Sequence, residues 1–128
     1  MELNSGPRHY NPMGTVHGGV LCDIADAAMG LAFASTLDED QSFTTLELKI
    51  NFLRPVWELD CSPRPASSRG KTVGLVECDV IDAGGRLMAR ASSTCLVLSG
   101  KMAEGRWRSK GDLIAGCSCS PPLAENCS

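Results

Sequence analysis

A histidine followed by two glycines, His17-Gly18-Gly19, and a carboxylate eight positions beyond Gly18, Asp26, are the residues best placed to do chemistry. Between and beyond them Val20, Leu21, Ile24, Ala28, Leu31 and Ala32 recur at helical spacing. That spacing predicts a helix from Gly18 to about Ser35, with His17 and Gly18 at its start. A helix start offers unpaired N–H groups and the positive end of the dipole, which suit an oxyanion forming on a carbonyl. Glycine after His17 lets a substrate approach the backbone closely. Asp26 falls nearly opposite the apolar stripe, near Gly19, Asp23, Gly30 and Phe33. It lies about 12 Å along the axis from Gly18, too far to share one carbonyl with it. The antiparallel helix of a second copy would bring the two opposite each other, and the glycines would permit the close approach.

The elements that must position these residues form an α+β pattern. After a polar turn, Thr45, Glu47, Lys49 and Asn51 alternate with Leu46, Leu48, Ile50 and Phe52, a strand with one buried face ended by Pro55. Two further strands, KTVGLVECDVID and RLMARASSTCLVL, flank the hairpin turn Asp82-Ala83-Gly84-Gly85. One long helix and long antiparallel strands make a curved sheet around a central helix. Leu59–Ser68, LDCSPRPASS, breaks the alternation where another strand belongs. Pro63 and Pro65 cannot both donate to a central ladder, so an irregular segment or a weakened strand and reduced stability are expected there. From Arg106 onward there is no periodicity. The expected division is one domain over 1–100 and a disordered tail over 101–128.

Composition excludes several functions. The net charge is -3 and the 12 Lys and Arg residues are scattered, so no basic stripe for nucleic acid exists. No run approaches the roughly 20 apolar residues of a membrane helix, and no basic-then-apolar leader opens the chain. A cytoplasmic protein is the expectation. Among seven cysteines, Cys22, Cys78 and Cys95 read as small buried thiols, while Cys61, Cys117, Cys119 and Cys127 lie in irregular sequence. Only Cys117 and Cys119 are close together and neither histidine is near them, so neither a metal nor any other cofactor is expected. At 128 residues the chain buries only about two-thirds of its unfolded surface, which favours oligomerisation.

The stretch NPMGTVHGGVLCDIAD, Asn11 to Asp26, resembles the active-site segment of the PaaI-like hotdog thioesterases: Asn11, then Gly14, His17, Gly18 and Gly19, then Asp26 along the helix. KINFLRP and GRLMARASSTCLVL are similar to that family's strands, so the resemblance covers roughly Gly6 to Glu58 and Arg69 to Leu98. It implies a hotdog fold with one long central helix wrapped by a curved antiparallel sheet. Only ten residues precede Asn11, which implies a truncated first strand, and Leu59–Ser68 implies a disrupted third one. It implies cofactor-independent hydrolysis of acyl-CoA thioesters to acid and CoA, in a homodimer or dimer of dimers with the site across the interface. Asp26 is then base or nucleophile, the Gly18 and His17 amides hold the oxyanion, and the Asn11 amide places water or substrate. Thr45 orients the nucleophile, and Arg69-Gly70-Lys71, with Arg54 as a weaker cation, meets the CoA phosphates. Asp23 does not match the family's acid in offset. The alternative is a hotdog module that binds acyl-CoA or a partner without turning it over.

Overall fold

The helical spacing is realised over Gly18–Ala34 (α1), 17 residues starting where expected. A computed structural model of the chain describes residues 3–4, 7–57 and 60–106. Five strands accompany the helix: Leu3–Asn4 (β1), Ser42–Phe52 (β2), Asp60–Arg69 (β3), Val73–Asp82 (β4) and Leu87–Leu98 (β5). They form one antiparallel sheet in the order β1-β3-β4-β5-β2, with α1 packed on one face. This is the expected helix wrapped by a curved sheet.

The buried face of α1 is rotated from the stripe read in the sequence. Leu21, Ile24, Ala25, Ala28, Met29 and Phe33 are buried, while Val20, Leu31 and Ala32 are only half-buried. Phe33 sets this rotation. Its ring lies against Gly74 of β4, where an added Cβ would stand 2.2 Å from Cε2, and it meets Phe43 edge-on at 5.3 Å. The helix-facing side of β4 and β5 supplies Val76, Cys78, Val80, Ala89, Ala91 and Cys95.

In β2 the register shifts between Thr45 and Glu47, with Leu46 as the extra residue of a bulge. Upstream of it, Phe43 and Thr45 pair with Val97 and Cys95, both buried, so they face the helix side. Downstream, Leu48 and Ile50 do so. The simple alternation assigned Thr45 to the other face, and Leu46 is exposed rather than buried.

The irregular segment expected between Leu59 and Ser68 is corrected: Asp60–Arg69 pairs continuously with β4, from Cys61 against Asp82 to Arg69 against Gly74. The physical reason is the side to which the prolines turn. The Gly70 N–H donates to the Val73 carbonyl at 2.9 Å, making that pair hydrogen-bonded. Alternation along an antiparallel ladder then makes Pro65–Cys78 and Pro63–Val80 non-hydrogen-bonded pairs, whose nitrogens point away from β4. On that outer edge β1 pairs, among the described residues, with Asp60 and Cys61, so none of them asks either proline for a proton. Cys22, expected buried, is half-exposed, whereas Cys78 and Cys95 are buried.

The packed chain continues past the expected boundary at residue 100. Gly100–Ala103 forms a 3-10 turn with Ala103 buried, and the Arg106 guanidinium donates to Ser42 Oγ at 3.2 Å and to the Phe43 carbonyl at 3.0 Å. Of the tail expected over 101–128, residues 107–128 lie outside the described residues, as do the side chains of Cys61, Cys117, Cys119 and Cys127. Among the described residues no helix is long and apolar enough to cross a membrane.

Candidate active site

The loop before α1 is locked by one side chain. Asn11 Oδ1 accepts from the Met13 N–H at 2.9 Å and the Thr15 N–H at 3.2 Å, and Nδ2 donates to Thr15 Oγ1 at 2.7 Å. Gly14, at φ +82°, closes the turn with its N–H on the Asn11 carbonyl. Asn11 therefore spends its amide on shaping the loop, as asparagine commonly does in such turns.

The helix start then distributes its amides unevenly. His17 is the N-cap: its Nδ1 accepts from the Gly19 N–H at 2.9 Å, and its carbonyl accepts from Val20 at 3.0 Å. The His17 N–H itself donates to the His9 carbonyl at 2.8 Å, so it is not available as a second oxyanion donor. Val16 donates to Val56. Among the described residues, Gly18 is left as the one amide between Gly14 and Val20 without an acceptor.

That amide belongs to a cleft of about 420 Å³ lined by Asn11, Thr15, Val16, Gly18, Leu21 and the run Phe52–Val56. Most of the lining is apolar, and the two polar groups of the loop, Asn11 and Thr15, are bonded to each other. The end of β2 forms the opposite wall. Its Phe52 ring points tip-first at Gly18: a Cβ there would lie 2.8 Å from Cζ. Arg54 also lines the cleft, its guanidinium donating to the Leu87 carbonyl at 2.7 Å.

Asp26 is not in this cleft. It is exposed on the outward side of α1, in a row of exposed or half-exposed small residues with Gly19, Asp23, Ala27 and Gly30. One turn before it, Cys22 has its thiol pKa raised, by burial first and then by the charges of Asp23 and Asp26, so it stays a neutral thiol at pH 7. The Asp26 carboxylate is thus left at the surface of the subunit.

The remaining expected residues lie elsewhere. Thr45 is exposed at the bulge of β2. Arg69 is held at the far end of α1, where its guanidinium donates to the Thr36 carbonyl and Gln41 Oε1 and stands 3.9 Å from Asp38. It clamps the helix exit to β3. Gly70 and Lys71 are exposed in the adjoining turn. Thus Asn11 and Gly18 come together with His17 beside them, while Asp26, Thr45 and the Arg69–Lys71 turn are spread along the subunit. Sequence reasoning missed Phe52 at the cleft, reading it only as an apolar strand position.

The helix start, the free amide and the wrapped sheet define the class to which comparison leads. The family model of the thioesterase superfamily matches residues 13–89. The chain belongs to that superfamily. A protein of Saccharolobus solfataricus named as an esterase is 37% identical over 90 residues, covering 70% of this chain and 64% of that protein. The chain thus spans under two-thirds of that relative's length. A Bacillus halodurans protein solved with CoA superposes with TM-score 0.72 at 30% identity, over 78% of this chain and 67% of that one. A Ralstonia eutropha thioesterase described as phenylacetic acid degradation-related gives 0.70 at 30%, over 74% and 72%.

Proposed function

We propose that the chain hydrolyses acyl-CoA thioesters, in a dimer whose two sites each combine the helix start of one subunit with Asp26 of the other. The observation that carries this reading is the free Gly18 N–H at an apolar cleft. The thioester oxygen accepts from Gly18, and the helix dipole stabilises the charge that develops on it. Asp26 of the partner subunit either takes a proton from the attacking water or attacks the carbonyl itself. The carbonyl–sulfur bond then breaks and CoA leaves, its sulfur finally carrying a proton from water; where Asp26 itself attacked, a water then cleaves the acyl–Asp26 anhydride, releasing the acid and freeing the carboxylate. The CoA-bound Bacillus halodurans neighbour supports CoA as the carrier.

Antiparallel pairing gives this reading a length to satisfy. With Gly18 opposite Asp26 of the partner, the partner's helix exit at Thr36 falls about 15 Å beyond Gly18 along the axis. The turn bearing Lys71 adjoins that exit through Arg69. An extended pantetheine arm has a comparable distance to cross between thioester and phosphates. Lys71 therefore takes the phosphate role, and Arg69 holds the turn in place.

The test is release of free CoA from a panel of aryl- and fatty-acyl-CoAs, with the mass in solution measured alongside. Turnover by a dimer, abolished by Asp26→Ala without loss of fold, is the expected result. Full activity in that variant refutes the assignment, and tight binding without CoA release makes the chain a binding module.

A further inference from the structure

Two features of the Gly18 cleft go beyond the assignment of a reaction. One is what it offers a ligand: Val16, Leu21, Phe52, Leu53, Pro55 and Val56 are apolar, while Asn11 is bonded to Thr15 and Arg54 is engaged with the Leu87 carbonyl. The pantetheine arm carries amides that need partners, and burying them without any is costly. A hydrocarbon group has no such need. The other feature is Phe52. It is 54% exposed, so its ring is not core, yet its tip rests on Gly18 with Cζ, Cε1 and Cε2 at 2.8, 3.1 and 3.3 Å from the Cβ position. Its backbone is fixed in the ladder opposite Ala89, which leaves side-chain rotation as its freedom.

We propose that this cleft receives the acyl group and that Phe52 is its specificity-determining wall, excluding acyl groups branched at the α-carbon. The inference rests on the thioesterase reading above. A carbonyl oxygen bonded to the Gly18 N–H puts the acyl α-carbon within roughly 5 Å of that nitrogen. The ring tip, 2.8 Å from a Cβ position on Gly18, lines the same cleft and so borders that space. An unbranched or planar acyl chain passes along the ring, whereas a methyl on the α-carbon meets its edge.

The experiment compares kcat/KM for butyryl-CoA and isobutyryl-CoA in the wild type, Phe52→Leu and Phe52→Ala, with thermal unfolding as the check of fold. The wild type should prefer butyryl-CoA, and the isobutyryl-to-butyryl ratio should rise by about tenfold in Phe52→Ala, the order expected for one methyl group, and by less in Phe52→Leu. Equal use of both substrates by the wild type overturns the proposal, as does an unchanged ratio in the variants. So does a rise in KM for both substrates together, which places the CoA arm in the cleft. Should the wild type release CoA from neither of these nor from any member of the wider aryl- and fatty-acyl-CoA panel, the hydrolase reading fails by itself. The wall is then judged by calorimetric affinities for the two intact thioesters, under the same ratio criterion.

Discussion

Replacing Gly18 by proline removes one hydrogen atom's worth of chemistry and tests whether the free amide is the oxyanion donor. Gly18 is the first helical residue, the position at which proline fits a helix best because its N–H has no intrahelical acceptor. A proline constrains the residue before it to extended backbone, and His17 already sits at φ -62°, ψ 134°. No hydrogen bond among the described residues is lost, since Gly18 N donates to none. The proline Cβ stands 2.8 Å from the tip of the exposed Phe52 ring, which must swing aside. The unfolding temperature should therefore stay close to that of a Gly18→Ala variant, with at most the gain of about 0.4–1 kcal/mol that proline contributes at a compatible site. Catalysis should fall by about 10²–10³ in kcat, the usual consequence of deleting one oxyanion donor, or about 2.7–4 kcal/mol. Gly18→Ala is the control: it brings a Cβ against the Phe52 ring as proline does, but keeps the N–H. Steady-state CoA release by the two variants, with circular dichroism for fold, isolates the donor. Were the proline variant to turn over within about threefold of the alanine variant, the helix start would not be the oxyanion site.

Further tests follow from the same geometry. Mixing Asp26→Ala and Gly18→Pro subunits should restore about a quarter of wild-type activity, because half of randomly mixed dimers are hybrid and each hybrid has one intact site of two. No recovery, with mixing verified by mass, argues against a shared site. Arg69→Ala should cost about 1–3 kcal/mol in urea unfolding by orphaning the Thr36 carbonyl and Gln41, while Lys71→Ala should raise KM for acyl-CoA and spare stability; the reverse pattern would sink the division of labour. Burial pushes the Cys78 thiol pKa up, the Asp79 charge adding to it against a lowering hydrogen bond from the Arg64 backbone. The folded state thus prefers the neutral thiol, so its contribution is whole below about pH 8.5 and is lost as pH rises through the raised folded value. Urea midpoints from pH 8 to about 10.5 should decline less steeply in Cys78→Ala than in wild type.

The helix and the β4–β5 hairpin were legible because they obey short periods. Leu21, Ile24 and Ala28 repeat at helical spacing, and Asp82 organises its turn by accepting the Arg86 N–H at 2.8 Å as a glycine-rich turn invites. Errors arose where a distant residue decides. Phe33 is buried because Gly74, far along the chain, leaves it room, and no helical wheel contains that information. The bulge at Leu46 reverses the phase of β2 upstream of it, so a strict alternation misplaces Thr45. In the site, Gly18 was readable from its place at the helix start. The capping by His17, the bonding of Asn11 to Thr15 and the engagement of Arg69 depend on which atoms meet. Composition carries none of that.

Strand β3 carries the more general point, because a proline's meaning depends on which side of the ladder it faces. On β3 both nitrogens face outward, so the sheet keeps its pairing with β4 while that edge becomes a poor template for another strand. The opposite edge is unlike it. Strand β2 runs for 11 residues without a proline, and beyond β5 its free side is met among the described residues only by Arg106, at Ser42 and Phe43. Leu46 and Phe52 are exposed along it. If the chain dimerises as proposed, the blunted edge at β3 is a poorer template for a second copy than the open edge at β2. That edge ends at Phe52, in contact with Gly18, so a subunit docking there arrives beside the free amide. Under the proposed dimer, the prolines that disturb the sequence pattern thus favour assembly at β2 over the β3 side of the sheet.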